Sequence, residues 1–182
     1  MRKIFVASVL VFLAACTLTE KQPADPRQKA LQRIDSLENQ IKKAIQAKPT
    51  ETDVTLAMYM IDAYQVYAET YTQDTLAPIF LFKGAQIYEG ALHDVPKAMT
   101  WYQQVFAQYP KSSIRPMALF HKANAMQTLG DTTNAIKNYE RFIKMYPKHA
   151  FADDAQGLIT LIRHPNPVLK DIMSEEPKKA TK

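Results

Sequence analysis

The sequence predicts an all-α fold, a solenoid of antiparallel helix hairpins, on three observations. One hairpin pattern is written twice between residues 79 and 147. Leu81-Phe82-Lys83-Gly84-Ala85, Lys97-Ala98-Met99-Thr100-Trp101-Tyr102 and Tyr109-Pro110 are answered by Leu119-Phe120-His121-Lys122-Ala123, Asn134-Ala135-Ile136-Lys137-Asn138-Tyr139 and Tyr146-Pro147. The two Tyr-Pro pairs lie 37 residues apart and Pro78 and Pro116 lie 38 apart, and a period of about 34 to 40 residues marks helical repeats. The chain also has four glycines against eleven prolines. With little Val/Thr alternation, that composition argues against a β-rich fold.

At 182 residues, with 47% apolar and 23% charged side chains, there is room for one ordinary globular domain plus tails. Residues 1–15 are expected to be a signal peptide. Arg2 and Lys3 precede an apolar run of about ten residues, shorter than the roughly 18 to 20 needed to span a bilayer. The run ends in Leu13-Ala14-Ala15-Cys16, and Cys16 is the only cysteine of the chain. This order of features resembles a bacterial lipoprotein signal, which implies acylation of Cys16 and cleavage just before it. Several acyl chains anchor a protein stably where one does not. The remaining chain then has no partner for a disulfide, so its stability rests on helix packing. Without Arg2 and Lys3 its charge falls to about +3, which gives no case for nucleic acid.

Residues 16–25 read as a tether. It carries no acidic run after the cysteine, and Thr17 rather than Asp follows it. By resemblance to other lipoproteins this points to the periplasmic face of the outer membrane. Residues 26–48 form an amphipathic helix, with Asp25 as N-cap and Pro26 at the first helical position. Its stripe is Leu31, Ile34, Leu37, Ile41 and Ile45. The stripe suits either a helix laid against the next hairpin or a seam for homo-oligomerisation through residues 27–47; two heptads do not choose between them.

Residues 52–163 are the repeat domain. The helix at 52–72 carries Leu56, Tyr59, Met60, Ala63, Tyr64, Tyr67 and Tyr71 at helical spacing, as core or as a ligand surface. Tyr71 lies 38 residues before Tyr109, so this helix reads as the second half of a degenerate earlier hairpin. In the two clear hairpins Thr75 and Ser113 are expected caps, and Pro78 and Pro116 fall in the first turn, where a missing N–H costs nothing. Gly90 and Gly130 are expected to end the first helices in a left-handed conformation, with Asp94 and Asp131 capping the next. The second helices are expected at 95–108 and 132–145, and a last helix at 151–163 covers the open end. Residues 164–182 read as a flexible polar tail.

The repeated hairpin resembles the tetratricopeptide repeat (TPR). Leu81, Ala85 and Tyr88, then Leu119, Ala123 and Met126, match the large, small and aromatic positions of the family's first helix. Ala98, Tyr102 and Pro110, then Ala135, Tyr139 and Pro147, match those of its second. Gly84 and Lys122 depart from a common Leu, and Val105 and Phe142 from a small residue. The long repeat and the Tyr-Pro endings resemble the TPR subset of outer-membrane assembly lipoproteins and the periplasmic cell-division coordinator. The resemblance implies a groove, lined by first helices, that holds a peptide or helix of another cell-envelope protein.

Residues placed for such a groove are Phe82, Gln86 and Glu89, then Phe120, Asn124 and Gln127, which share one helical face at i, i+4, i+7. Phe82 and Phe120 alternatively pack between neighbouring first helices. Lys137, Arg141, Lys144 and Lys148 form a basic row, either a second surface for a partner or a solvated face. His93, His121, His149 and His164 lie in different segments without metal-ligand spacing. No phosphate-cradling loop or nucleophile elbow is present, so no catalytic residue, metal or cofactor is expected and an enzyme is a remote reading. The sequence thus points to a membrane-tethered adaptor, or alternatively to a structural module that self-associates through its N-terminal helix.

Overall fold

The computed structural model describes residues 25–48 and 53–165. The signal peptide, Cys16, almost all of the tether and nearly the whole tail lie outside the described residues. Among the described residues there are seven helices and no strand: α1 (Pro26–Ala47), α2 (Val54–Thr70), α3 (Ala77–Gly90), α4 (Val95–Gln108), α5 (Arg115–Thr128), α6 (Thr132–Met145) and α7 (Ala152–Arg163). Each helix packs on the next in chain order, and α3 also touches α5. The architecture is three hairpins in a row, α1–α2, α3–α4 and α5–α6, closed by α7.

Four helices begin at aspartates. The carboxylates of Asp25, Asp53, Asp94 and Asp131 accept from backbone N–H groups in the first turn of α1, α2, α4 and α6, satisfying donors that a helix start otherwise leaves free. The starts of α3 and α5 correct the expected caps. Neither Thr75 nor Ser113 caps; Leu76 and Ile114 hold the cap positions without a side-chain bond. The preceding polar residues act instead, with Asp74 accepting from the Leu76 N–H at 2.9 Å and Ser112 from the Ile114 N–H at 3.4 Å.

The hairpin turns correct a second expectation. Gly130 takes a positive φ of 80°, but Gly90 remains helical and the left-handed residue of the first copy is His93, at φ 53°. The extra loop residue of that copy moves the turn to a position without glycine. In both copies the residue after the left-handed one then closes the turn on the helix, Asp94 N–H on Tyr88 O and Asp131 N–H on Met126 O.

The core follows from the small residues. Ala85, Ala98, Ala123 and Ala135 are fully buried, so paired helices approach closely enough to sandwich Tyr102, Val105, Tyr139 and Phe142, which are also fully buried. A separate cluster of Ile34, Met60, Ala63, Tyr64, Tyr67 and Phe80 joins α1, α2 and α3. Gly84 marks the tightest approach: a Cβ there would lie 2.1 Å from the indole of Trp101. That indole packs edge-on against Tyr88 at 5.3 Å.

Helix α1 lies along α2 with Ile34 buried and Leu31, Leu37 and Ile41 partly covered. Its N-terminal end is clamped. Asp74, in the α2–α3 turn, accepts from Arg27 Nε at 2.6 Å and from the Tyr67 hydroxyl at 2.8 Å. The Arg27 hydrogen bond holds the Asp74 carboxyl down at about 2, against the opposing effect of burial.

Two outcomes follow. His93→Gly removes the strain of a non-glycine residue at positive φ and raises stability by about 0.5–1 kcal/mol, read by urea unfolding. Because the folded-state pKa of Asp74 is depressed, its contribution is fully present above pH 4 and is lost as pH falls toward 2. Asp74→Asn removes about 1–2 kcal/mol above that window, seen as faster amide exchange in the first turns of α1.

Candidate functional site

The polar chemistry of the fold is organised by the buried tyrosines. Each second helix sends one hydroxyl to the first helix of its own hairpin. Tyr64 donates to Glu38 at 2.6 Å and Tyr102 to Glu89 at 2.7 Å; Tyr139 faces Gln127 Oε1 at 2.9 Å and also Asn124 Oδ1. Burial, aided for the first two by the neighbouring carboxylate, pushes all three hydroxyl pKa values upward. They therefore stay protonated donors.

The six expected groove residues divide accordingly. Phe82 and Phe120 are 6% and 5% exposed. Phe82 packs against the rings of Tyr102 and His121, and Phe120 against Tyr139, Phe142 and Phe151. This corrects the expectation that they are spare to hairpin packing: a first helix in the middle of the stack has neighbours on both sides, so its apolar face is wider than one stripe. Glu89, Asn124 and Gln127 accept tyrosine hydroxyls. Glu89 also lies 3.7 Å from His121 Nδ1, and that contact, helped by Tyr102 and opposed by burial, lowers its carboxyl pKa. Gln86 alone of the six is exposed.

Gln86 stands on the rim of a different groove. Between the C-terminal halves of α1 and α3, over the start of α2, lies a cavity of ≈ 700 Å³ open to solvent. Its walls include Ile41 and Ile45 of α1, Leu56 and Met60 of α2, Ile87 of α3 and Ala91 just after it. One end is polar and fixed. Glu38 Oε1 accepts from both the Tyr64 hydroxyl and Lys83 Nζ, the latter at 2.7 Å. Burial raises the Glu38 pKa, but the bonds from Lys83 and Tyr64 outweigh it and the net shift is downward. The groove is thus an apolar slot with an ion pair at one end, suited to hold apolar side chains of a bound segment.

This slot is not among the sequence expectations, because the whole α1 stripe suits packing or a seam. The available signal was Ile45, which continues the stripe past the last covered residue and is 55% exposed. Of the expected basic row, Lys137, Arg141 and Lys144 lie on α6 and Lys148 lies in the turn beyond its end; all four are exposed. Among the described residues no helix is long and apolar enough to cross a membrane, and no group of three His, Cys, Asp or Glu is placed to hold a metal ion.

Residues 117–149 match the tetratricopeptide repeat family model. The matched stretch starts inside α5, spans α6 and ends just beyond Tyr146-Pro147. Together with the stacked hairpins it supports a TPR protein with a TPR-like solenoid fold. TPR domains generally mediate protein–protein interaction, and their stacked units create extended binding surfaces. Comparison with curated proteins finds no match.

Phe82→Ala and Phe120→Ala should each cost about 3–5 kcal/mol of stability, the range for emptying a buried aromatic site. Gln86→Ala should stay within about 0.5 kcal/mol of the parent. Urea unfolding of the three variants checks the division between packing residues and rim.

Proposed function

We propose that this chain is a membrane-tethered TPR adaptor that holds a peptide segment or helix of another cell-envelope protein in the slot between α1, α2 and α3. The observation that carries the reading is the slot itself, an apolar cavity walled by three helices and closed at one end by the Glu38–Lys83 pair. Its size suits a few apolar side chains rather than a whole domain. Two of its three walls, α1 and α3, are first helices of their hairpins, the side on which the resemblance to TPR units implies a ligand groove. Tethering rests on the charged, apolar and small-residue order of residues 1–16, with Cys16 as the acylated residue. Thr17 rather than Asp after Cys16, with no acidic run following, supports placement at the periplasmic face of the outer membrane. Specificity follows from the fixed polar end: a ligand must bring an apolar stretch and a group compatible with Lys83 and Glu38.

One further observation favours self-association as a second reading. Ile45, Val54, Met58, Tyr59 and Val66 are all large and exposed on α1 and α2. The corresponding places on α4 and α6 hold mostly polar or charged residues.

Photo-crosslinking from a probe at position 45 of the full-length protein, in its own membranes, tests both readings. The expected product is one discrete adduct with a different protein, reduced at least tenfold by Gln86→Arg. Cys16→Ser should release the chain from the membrane fraction. An adduct with a second copy of the chain alone supports the structural module, and no adduct sinks the slot as a docking site.

A further inference from the structure

A second constellation lies at the other end of the stack, where the two clear hairpins differ. Ala85 and Ala123 correspond, so Lys122 takes the place that Gly84 holds one hairpin earlier. There Trp101 closes over the glycine. The residue matching Trp101 is Asn138, whose amide is turned onto Asn134 O at 2.8 Å and Met126 Sδ at 3.3 Å. No indole covers Lys122, and its surroundings are cationic.

Arg115 and Arg141 both lie against the ring of Phe106, with guanidinium carbons 4.5 and 4.7 Å from its centroid. Arg115 is fixed by its bond from Nε to Phe106 O at 3.0 Å and by Nη1 at 3.3 Å from the Tyr146 hydroxyl. Lys122 is half-buried within reach of the Arg141 charge; burial first, and that charge second, push its ammonium below its usual pKa. Among the described residues none of the three cations forms an ion pair. Across α4, α5 and α6 the only carboxylate is Glu140, and it is held by Arg163 of α7 at 2.6 Å.

Three cations drawn together without a counter-charge are unfavourable in the empty fold, and the rigid Phe106 platform keeps two of them from moving apart. We infer that Arg115, Lys122 and Arg141 form a binding site for a phosphate group. A planar guanidinium engages two oxygens of an oxyanion side by side and an ammonium supplies a third contact as a point charge. A doubly charged phosphate also relieves the mutual repulsion better than one carboxylate does. The rest of the basic row, Lys137, Lys144 and Lys148, extends the positive field around the site and raises the local concentration of anions. The phosphate is either free in solution or carried on a lipid headgroup, and the chemistry at the three side chains is the same.

The test uses the full-length chain in micelles of a neutral detergent, labelled with ¹⁵N and followed at Arg141 Nε and Lys122 Nζ. Inorganic phosphate is titrated against chloride at matched ionic strength. In parallel, phosphatidylcholine vesicles with and without phosphatidic acid are offered in a flotation assay. The expected result is a saturable shift with phosphate, or flotation that requires phosphatidic acid, weakened about tenfold by Lys122→Leu and by Arg141→Gln. Response to the free ion assigns a phosphate in solution; response to the vesicles alone assigns a headgroup. Leu is common at the Lys122 position in TPR units, so Lys122→Leu is expected to keep the fold, checked by its melting curve, and Arg141→Gln provides an exposed alternative. Equal response to chloride and phosphate with no flotation means an adventitious ion only and overturns the inference. So does binding retained in both variants, or a response confined to a glutamate-rich peptide.

Discussion

The structure depends on one repeated requirement: each hairpin buries a tyrosine ring and must find an acceptor for its hydroxyl. A buried hydroxyl left unpaired costs about 1–3 kcal/mol, so the first helix of each hairpin commits a polar side chain to it. Glu38, Glu89 and the Asn124–Gln127 pair fill that role for Tyr64, Tyr102 and Tyr139. No buried side-chain polar atom is left without a partner among the described residues. The bond fixes the register of the two helices, which in turn fixes how close Ala85 and Ala98, or Ala123 and Ala135, can come. The face that sequence spacing assigns to a ligand is therefore largely occupied with holding the repeat together.

The same requirement makes α1–α2 a genuine hairpin of the series. Glu38 meets Tyr64 as Glu89 meets Tyr102, although the spacing along the chain is twice as long. The extra length lies in α1, which has 22 residues against 14 in α3 and α5, and in the connection that follows it. That extra length carries the C-terminal end of α1 past its contacts, and the slot with Ile41 and Ile45 is the result. The two parts that sequence patterning separates, amphipathic helix and repeat domain, thus share one packing rule.

How much of this was legible follows from where local signals act alone. The limits of α1, α4 and α6 could be read because an aspartate cap, a helical period and a Pro or Gly stop agree within each segment. Thr75 and Ser113 misled because the cap positions fall one residue later, at Leu76 and Ile114, whose N–H groups are bonded by Asp74 and Ser112. Gly90 misled because loop length, not composition, placed the left-handed residue at His93. Phe82 and Phe120 could not be classified from one helix, since what buries them belongs to the neighbouring hairpin. The slot was illegible for the same reason: its walls come from three helices and its existence depends on where α1 stops touching α2. Arg115, Lys122 and Arg141 were visible only as a departure from Leu at Lys122 and a row of basic residues; the ring of Phe106 brings the two arginines together in space.

The clamp of Arg27 on Asp74 has a mechanical meaning. It is the first long-range contact met by the described chain, so tension drawn through the residues before Asp25 enters the fold at that ion pair. Helix α1 is a rod of about 33 Å at 1.5 Å per residue, with the clamp at one end and Ile41 and Ile45 at the other. The covered stripe around Ile34 lies between them, so the clamp and the slot sit at opposite ends of one rigid element.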